Sequence, residues 1–197
     1  MSSIKLILAS ASPRRKMLLA ATGLDFEIVE SRIDEVRQDG ENAADFATRM
    51  ACEKALEVSV HCPDAIVLAA DTIVECDGQI LGKPADAASA RAMLRSLSGN
   101  THTVVTAFAI ARAGAIAESV PVASRVTFRA LSPDEIAAYV DSGDPLDKAG
   151  AYGIQDAGAG FVERVEGPRD NVMGLPVRQV LDALRRHGVP VARAESN

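Results

Sequence analysis

The chain has 197 residues, of which 48% are hydrophobic and 24% charged, with a formal net charge of −6. That apolar content excludes a disordered chain and suits a folded globule of one domain. The acidic balance and an aromatic content of only 4% argue against a nucleic-acid binder, which needs a basic face or a stacking platform. Cys52, Cys62 and Cys76 have no CxxC spacing, so reduced thiols in a cytoplasmic protein are expected rather than a zinc site or a disulfide framework. No apolar run approaches the roughly 20 residues of a membrane span. The start of the chain has too short an apolar core, and too little charge before it, for a secretory signal.

In chain order, "IKLILA" (4–9) reads as a buried strand. "SPRRKMLLAAT" (12–22) reads as a helix with Ser12 as N-cap, Pro13 at the first helical position and Gly23 closing it. A short strand is expected over 25–30 and a helix over 41–59. A strand and hairpin follow over 65–81, turning at Asp77 and Gly78. A helix over 85–99 leads to a β-rich stretch over 101–131 that turns near Ala113 and Gly114. Ser132 opens a helix over 132–143, a Gly-rich segment spans 150–161, and "VERVEG" follows at 162–167. "EGPRDNVMGLP" (166–176) reads as a charged loop, and a last helix is expected over 176–188. Strands and helices mix throughout, which predicts an α/β class: a twisted mixed sheet with flanking helices. One domain is expected over 1–190, with a loose tail over 191–197.

Three basic positions stand out. Arg14 and Arg15 sit in the first turn of a helix, where positive charge opposes the macrodipole at about 0.3–1 kcal/mol each. A bound phosphate chain would offset that cost; a solvated turn is the alternative reading. On a wheel of about 100° per residue, Ala43, Phe46, Ala47, Met50, Ala51 and Val58 form one apolar arc. Lys54 falls in the middle of that arc, while Asp45 and Arg49 fall opposite. An ammonium centred on a buried face needs a partner. Lys83, in "LGKP", reads by itself as a solvated turn lysine.

Two acids complete the pattern. Asp71 ends the apolar run "AIVLAA", where a carboxylate must be paired or metal-bound. Glu35 lies in the polar stretch "SRIDEVRQ" and by itself reads as a surface acid. Acids and bases of this kind together suit metal-assisted phosphoryl chemistry. No GxxxxGK[ST] or GxGxxG motif points to an ordinary ATPase or dinucleotide enzyme.

The ordered motifs "LASASPRR", "EKA", "AADTIV", "LGKP", "LSGNTHTVVTA", "PLDKAGAYGIQ" and "MGLP" resemble those of the Maf family over about residues 4–185. The resemblance implies a mixed α/β fold with a deep cleft between two lobes. It implies hydrolysis of a nucleoside triphosphate to monophosphate and pyrophosphate, with a divalent cation such as Mg²⁺ or Mn²⁺. By the same resemblance Ser10, Arg14, Arg15, Lys54 and Lys83 match phosphate-contacting positions. Glu35 and Asp71 match acidic, metal-binding ones, with Asp71 as general base. Arg14, Thr72 and Gln155 match the branch that acts on dTTP and UTP rather than the 7-methyl-GTP branch. Gln155 suits the uracil or thymine edge, since its amide carries both a donor and an acceptor; bracing its own loop is the alternative. A regulator of septum formation that binds division partners is the competing class of function. Neither nucleic acid nor membrane is expected as a partner, and self-association as a homodimer is left open.

Overall fold

The computed structural model describes residues 4–155 and 157–191. Among them, seven strands form one mixed sheet in the order β2-β1-β3-β5-β6-β7, with β4 paired to β3 off this path. Strand β1 (Lys5–Leu8) lies parallel to β2 (Glu27–Ile28) and to the first half of β3 (Ala65–Cys76). Strand β3 turns into β4 (Gln79–Leu81) through Asp77 and Gly78, whose φ values of 50° and 75° suit a two-residue hairpin. Strands β5 (Thr101–Arg112), β6 (Ala115–Phe128) and β7 (Val162–Glu166) follow antiparallel.

The register around β3 creates an opening. Pairing of β1 with β3 ends at Leu8 and Leu68, and pairing of β4 begins only at Val74 and Leu81. The stretch of β3 between them has no strand on that edge, while its other edge stays paired with β5 from Val67 to Glu75. A split of this kind, beyond the carboxyl end of a parallel strand, is where open α/β sheets bind ligands.

The period of two along β3 sends its side chains to two faces. Ala65, Val67, Ala69 and Ile73 pack under helix α2 (Ala43–His61), together with Val105, Ala107 and Ala109 of β5. On the opposite face, Ile66, Leu68 and Ala70 pack with Leu19 of α1 (Pro13–Ala20) and with Val180, Ala183 and Leu184 of α6 (Val177–Arg186). Further along that face, Val74 and Cys76 pack with α3 (Ala87–Leu97) and α4 (Pro133–Asp141). Thr72 lies between these two cores. The expected pair of lobes is therefore two apolar clusters on one sheet face, parted by a polar strip.

The expected helices form within one or two residues at most ends. Ser12, Asn42, Asp86 and Ser132 are the N-caps, each accepting a backbone N–H three residues on. Two expectations change. The strand over 25–30 shrinks to two residues, because β2 is an edge with only β1 to pair with. The segment read as a charged loop contains helix α5 (Arg169–Met173), closed by Gly174 at φ 110°. Its polar sequence hides a tertiary anchor: Asn171 is fully buried. Residues 144–147, 149–151 and 157–161 form short 3₁₀ turns. The tail expectation falls, from residue 192 onward, outside the described residues. No helix among the described residues is long and apolar enough to cross a membrane.

Candidate active site

The opening beside β3 is a cavity of about 320 Å³. Its walls come from the β1–α1 loop, the polar stretch before α2, the middle of β3, the segment after β4 and the turn after α5. Ser10, Arg14, Arg15, Glu35, Lys54, Asp71, Thr72 and Lys83 all line it. Eight of the nine site positions expected from sequence thus converge, from segments spread over more than seventy residues of chain.

Lys54 is the hub. It is 8% exposed, in the middle of the buried face of α2, as the wheel predicts. Its Nζ donates to Asp71 Oδ1 at 2.6 Å and to Glu35 Oε1 at 2.5 Å. Asp71 shares the α2-facing side of β3 with Val67, Ala69 and Ile73, which is why it meets this lysine. Glu35 arrives from the loop before α2, and its other oxygen lies 3.6 Å from Lys83 Nζ. Glu35 and Lys83 read alone as surface groups, yet the fold brings each to the cavity.

The environments of the two acids push their pKa values apart. Burial dominates at Asp71 and raises its pKa above the ordinary aspartate value, against the opposing pull of Lys54 and Arg15. Burial also acts on Glu35, but the Lys54 hydrogen bond and the charges of Lys54, Lys83 and Arg15 outweigh it and lower its pKa. Two carboxyl groups on one ammonium with opposite shifts are suited to different roles. Asp71 becomes the stronger base; Glu35 stays an anion.

The arginine pair is built into the start of α1. Ser12 caps the helix by accepting from Arg15 N at 3.4 Å, and Ser10 Oγ accepts from Ser12 N at 3.2 Å. Arg15 then folds back across the cavity. Its Nε donates to Gly174 O at 2.9 Å and its Nη2 to Thr72 Oγ1 at 3.0 Å. These acceptors are neutral, and no carboxylate lies within ion-pair distance of Arg15 among the described residues. Burial lowers its proton affinity, while Asp71 and Glu35 act to raise it. Arg14 faces Asp147 at 3.8 Å. The guanidinium of Arg15 thus keeps an unneutralised charge beside a helix N-terminus, an arrangement that favours an anion.

Sequence reasoning missed other lining residues. Tyr152, Val104, Val172 and Val74 give one side of the cavity an apolar wall. The hydroxyl of Tyr152 meets His102 Nε2 at 2.7 Å. Asp147 and Gly174 lie within the quoted motifs "PLDKAGAYGIQ" and "MGLP", whose presence was the one signal that could have drawn attention to them. Gln155 is exposed and is not among the lining residues; Tyr152, three residues before it, is.

A cleft that places four cations and two converging carboxyl groups beside a helix N-terminus suits an α/β protein that handles anions such as phosphate. The comparison with known proteins is specific. Residues 5–187 match the family described as Maf-like protein, and the chain belongs to that family. A relative from Moorella thermoacetica named dTTP/UTP pyrophosphatase is 52% identical, over 95% of this chain and 97% of its own length. Relatives of the same name from Myxococcus xanthus and Geobacter sulfurreducens are 50% and 46% identical, covering 94% and 93% of this chain and 94% and 97% of their own lengths.

Proposed function

We propose that this protein hydrolyses nucleoside triphosphates, dTTP and UTP foremost, to the nucleoside monophosphate and pyrophosphate. The observation that carries the reading is the Glu35–Lys54–Asp71 cluster, whose Lys54 and Asp71 are buried where the sheet splits, with Arg14, Arg15 and Lys83 lining the same cavity. The names of the relatives supply the nucleotide class.

In this reading the triphosphate lies along the first turn of α1, with Arg14, Arg15 and Lys83 neutralising its oxygens. Lys54 sits at the acid pair and holds Asp71 in place. Asp71, with its raised pKa, accepts a proton from the water that attacks the α phosphorus. The new P–O bond forms as the bond to the α–β bridging oxygen breaks. Its electron pair leaves with pyrophosphate.

Glu35 and Asp71 fit a divalent cation. Lys54 takes one oxygen of each carboxyl group, at 2.5 and 2.6 Å, which leaves the second oxygen of each for a metal ion beside it. Mg²⁺ and Mn²⁺ suit such hard oxygen donors, and Mg²⁺ commonly takes one or two carboxylates with substrate phosphates completing its shell. Among the described residues there is no group of three or more His, Cys, Asp or Glu that could hold a metal ion. When bound, the ion would neutralise phosphate charge in the transition state.

Base selection is assigned to Gln155 with the apolar wall at Tyr152. Thr72, by its bond to Arg15, acts on the phosphate end. The three free cysteines suit a reducing cytoplasm.

The test is a nucleotide panel with pyrophosphate as readout, in ¹⁸O-water. Rapid hydrolysis of dTTP and UTP, slow hydrolysis of CTP, ATP and 7-methyl-GTP, and label in the monophosphate are expected. Asp71→Asn should lower turnover about 10²–10⁴-fold while nucleotide binding survives. Label only in pyrophosphate would overturn the site of attack, and 7-methyl-GTP as the best substrate would overturn the base assignment.

A further inference from the structure

The polar strip that parts the two cores has more order than a boundary needs. Thr106 and Asn171 are both fully buried, and neither lines the cavity. Thr106 Oγ1 donates to the backbone carbonyl of Asn171 at 2.8 Å. A hydroxyl has one proton to give. In the 2.9 Å contact between Thr72 Oγ1 and Thr106 Oγ1, Thr72 is therefore the donor. Thr72 is then left to accept, and it accepts from Arg15 Nη2 at 3.0 Å. The chain Arg15 → Thr72 → Thr106 → Asn171 has one consistent direction.

A second arm reaches the same guanidinium. The Asn171 carbonyl also accepts from Gly174 N at 3.0 Å, and the Gly174 carbonyl accepts from Arg15 Nε at 2.9 Å. The Asn171 side chain pins the junction of both arms to the sheet, donating to Val104 O at 3.1 Å and to Ser124 Oγ at 3.0 Å. Two of the three guanidinium nitrogens are thereby fixed. The third, Nη1, lies 3.5 Å from Ser10 Oγ at the cavity wall.

We propose that Thr106 and Asn171 are positioning residues, which act through Thr72 and Gly174 to hold the Arg15 guanidinium with Nη1 presented to a substrate phosphate. This rests on the reading that Arg15 meets the triphosphate. Its physical basis is preorganisation: a long side chain fixed before binding loses less freedom on binding, and small misplacements in such sites are expensive in rate.

Asn171→Ala removes the junction but also strips a buried anchor, so it can fail by unfolding. Thr106→Val keeps the branched shape and replaces the hydroxyl with a methyl group. The experiment is a double-mutant cycle of Thr106→Val with Arg15→Ala, measuring kcat/KM for dTTP and, separately, the affinity for inorganic tripolyphosphate. In the wild-type background Thr106→Val should lower both about tenfold, the scale of one lost positioning hydrogen bond. In the Arg15→Ala background it should lower them less than twofold. Equal losses in the two backgrounds, or no loss in either, would overturn the proposal. A wild-type protein that binds tripolyphosphate with this coupling but releases no pyrophosphate from any nucleotide would overturn the pyrophosphatase reading and leave the positioning role standing.

Discussion

Lys54→Met tests the hub of the cleft. Methionine keeps the unbranched stem within the apolar arc of α2 and removes only the charge. In the wild type the ammonium bridges Asp71, whose side chain is 7% exposed, and Glu35, which is 43% exposed. Removing one partner of a buried ion pair costs about 3–5 kcal/mol. The Glu35 half is screened by solvent and adds little, so about 3 kcal/mol at neutral pH is expected, measured by urea unfolding without divalent cation. Losing Lys54 also removes the positive charge that most strongly lowers the Asp71 pKa, which burial already raises. An acid with a folded pKa above its unfolded value stabilises the fold at low pH and loses that contribution as pH rises through the folded pKa. The deficit should therefore shrink as the buffer is taken from neutral toward pH 5. Activity should fall about 10²–10⁴-fold, since Asp71 loses the partner that holds its carboxylate in place as base. A fully active variant, or one as stable as wild type at neutral pH, would refute both the pairing and the role drawn from it.

Two further outcomes are expected. Gln155→Glu should weaken dTTP hydrolysis by removing the amide donor, with the loss confined to pyrimidine nucleotides; a loss equal for ATP would make Gln155 a brace of its loop. Burial lowers the pKa of His102 to about 4. The unfolded chain then binds more protons than the folded one between that value and the ordinary 6.5. Stability is full above pH 6.5 and should fall by about 3 kcal/mol as pH drops toward 4, a slope that His102→Gln should flatten in pH-dependent unfolding.

Much of the site was legible because local pattern carried it. The period of α2 marks Lys54 as a buried charge, since a helix face is a property of spacing alone. The end of an apolar run marks Asp71 for the same reason. Caps and turns announce themselves in Ser12, Ser132 and the Asp77–Gly78 hairpin, because each satisfies a local backbone need. Glu35 and Lys83 are different: each looks solvated in its own segment and gains a partner only when distant segments meet at Lys54. Helix α5 was misread because its residues look like a surface loop, and what orders it is Asn171 bonded across the sheet to Val104 and Ser124. The gap along β3 was invisible too, since it depends on where β1 and β4 stop pairing with a common neighbour. Sequence alone determined that Lys54 and Asp71 must be buried, that Ser12 and Ser132 cap helices and that Asp77–Gly78 turns, because those demands are set within a few residues of chain. Only the tertiary structure decided that the acid pair shares one ammonium, that Arg15 is held by neutral acceptors, and that Gln155 stays exposed beside the cleft. Those are contacts between segments far apart in sequence, whose geometry is set by sheet register and packing.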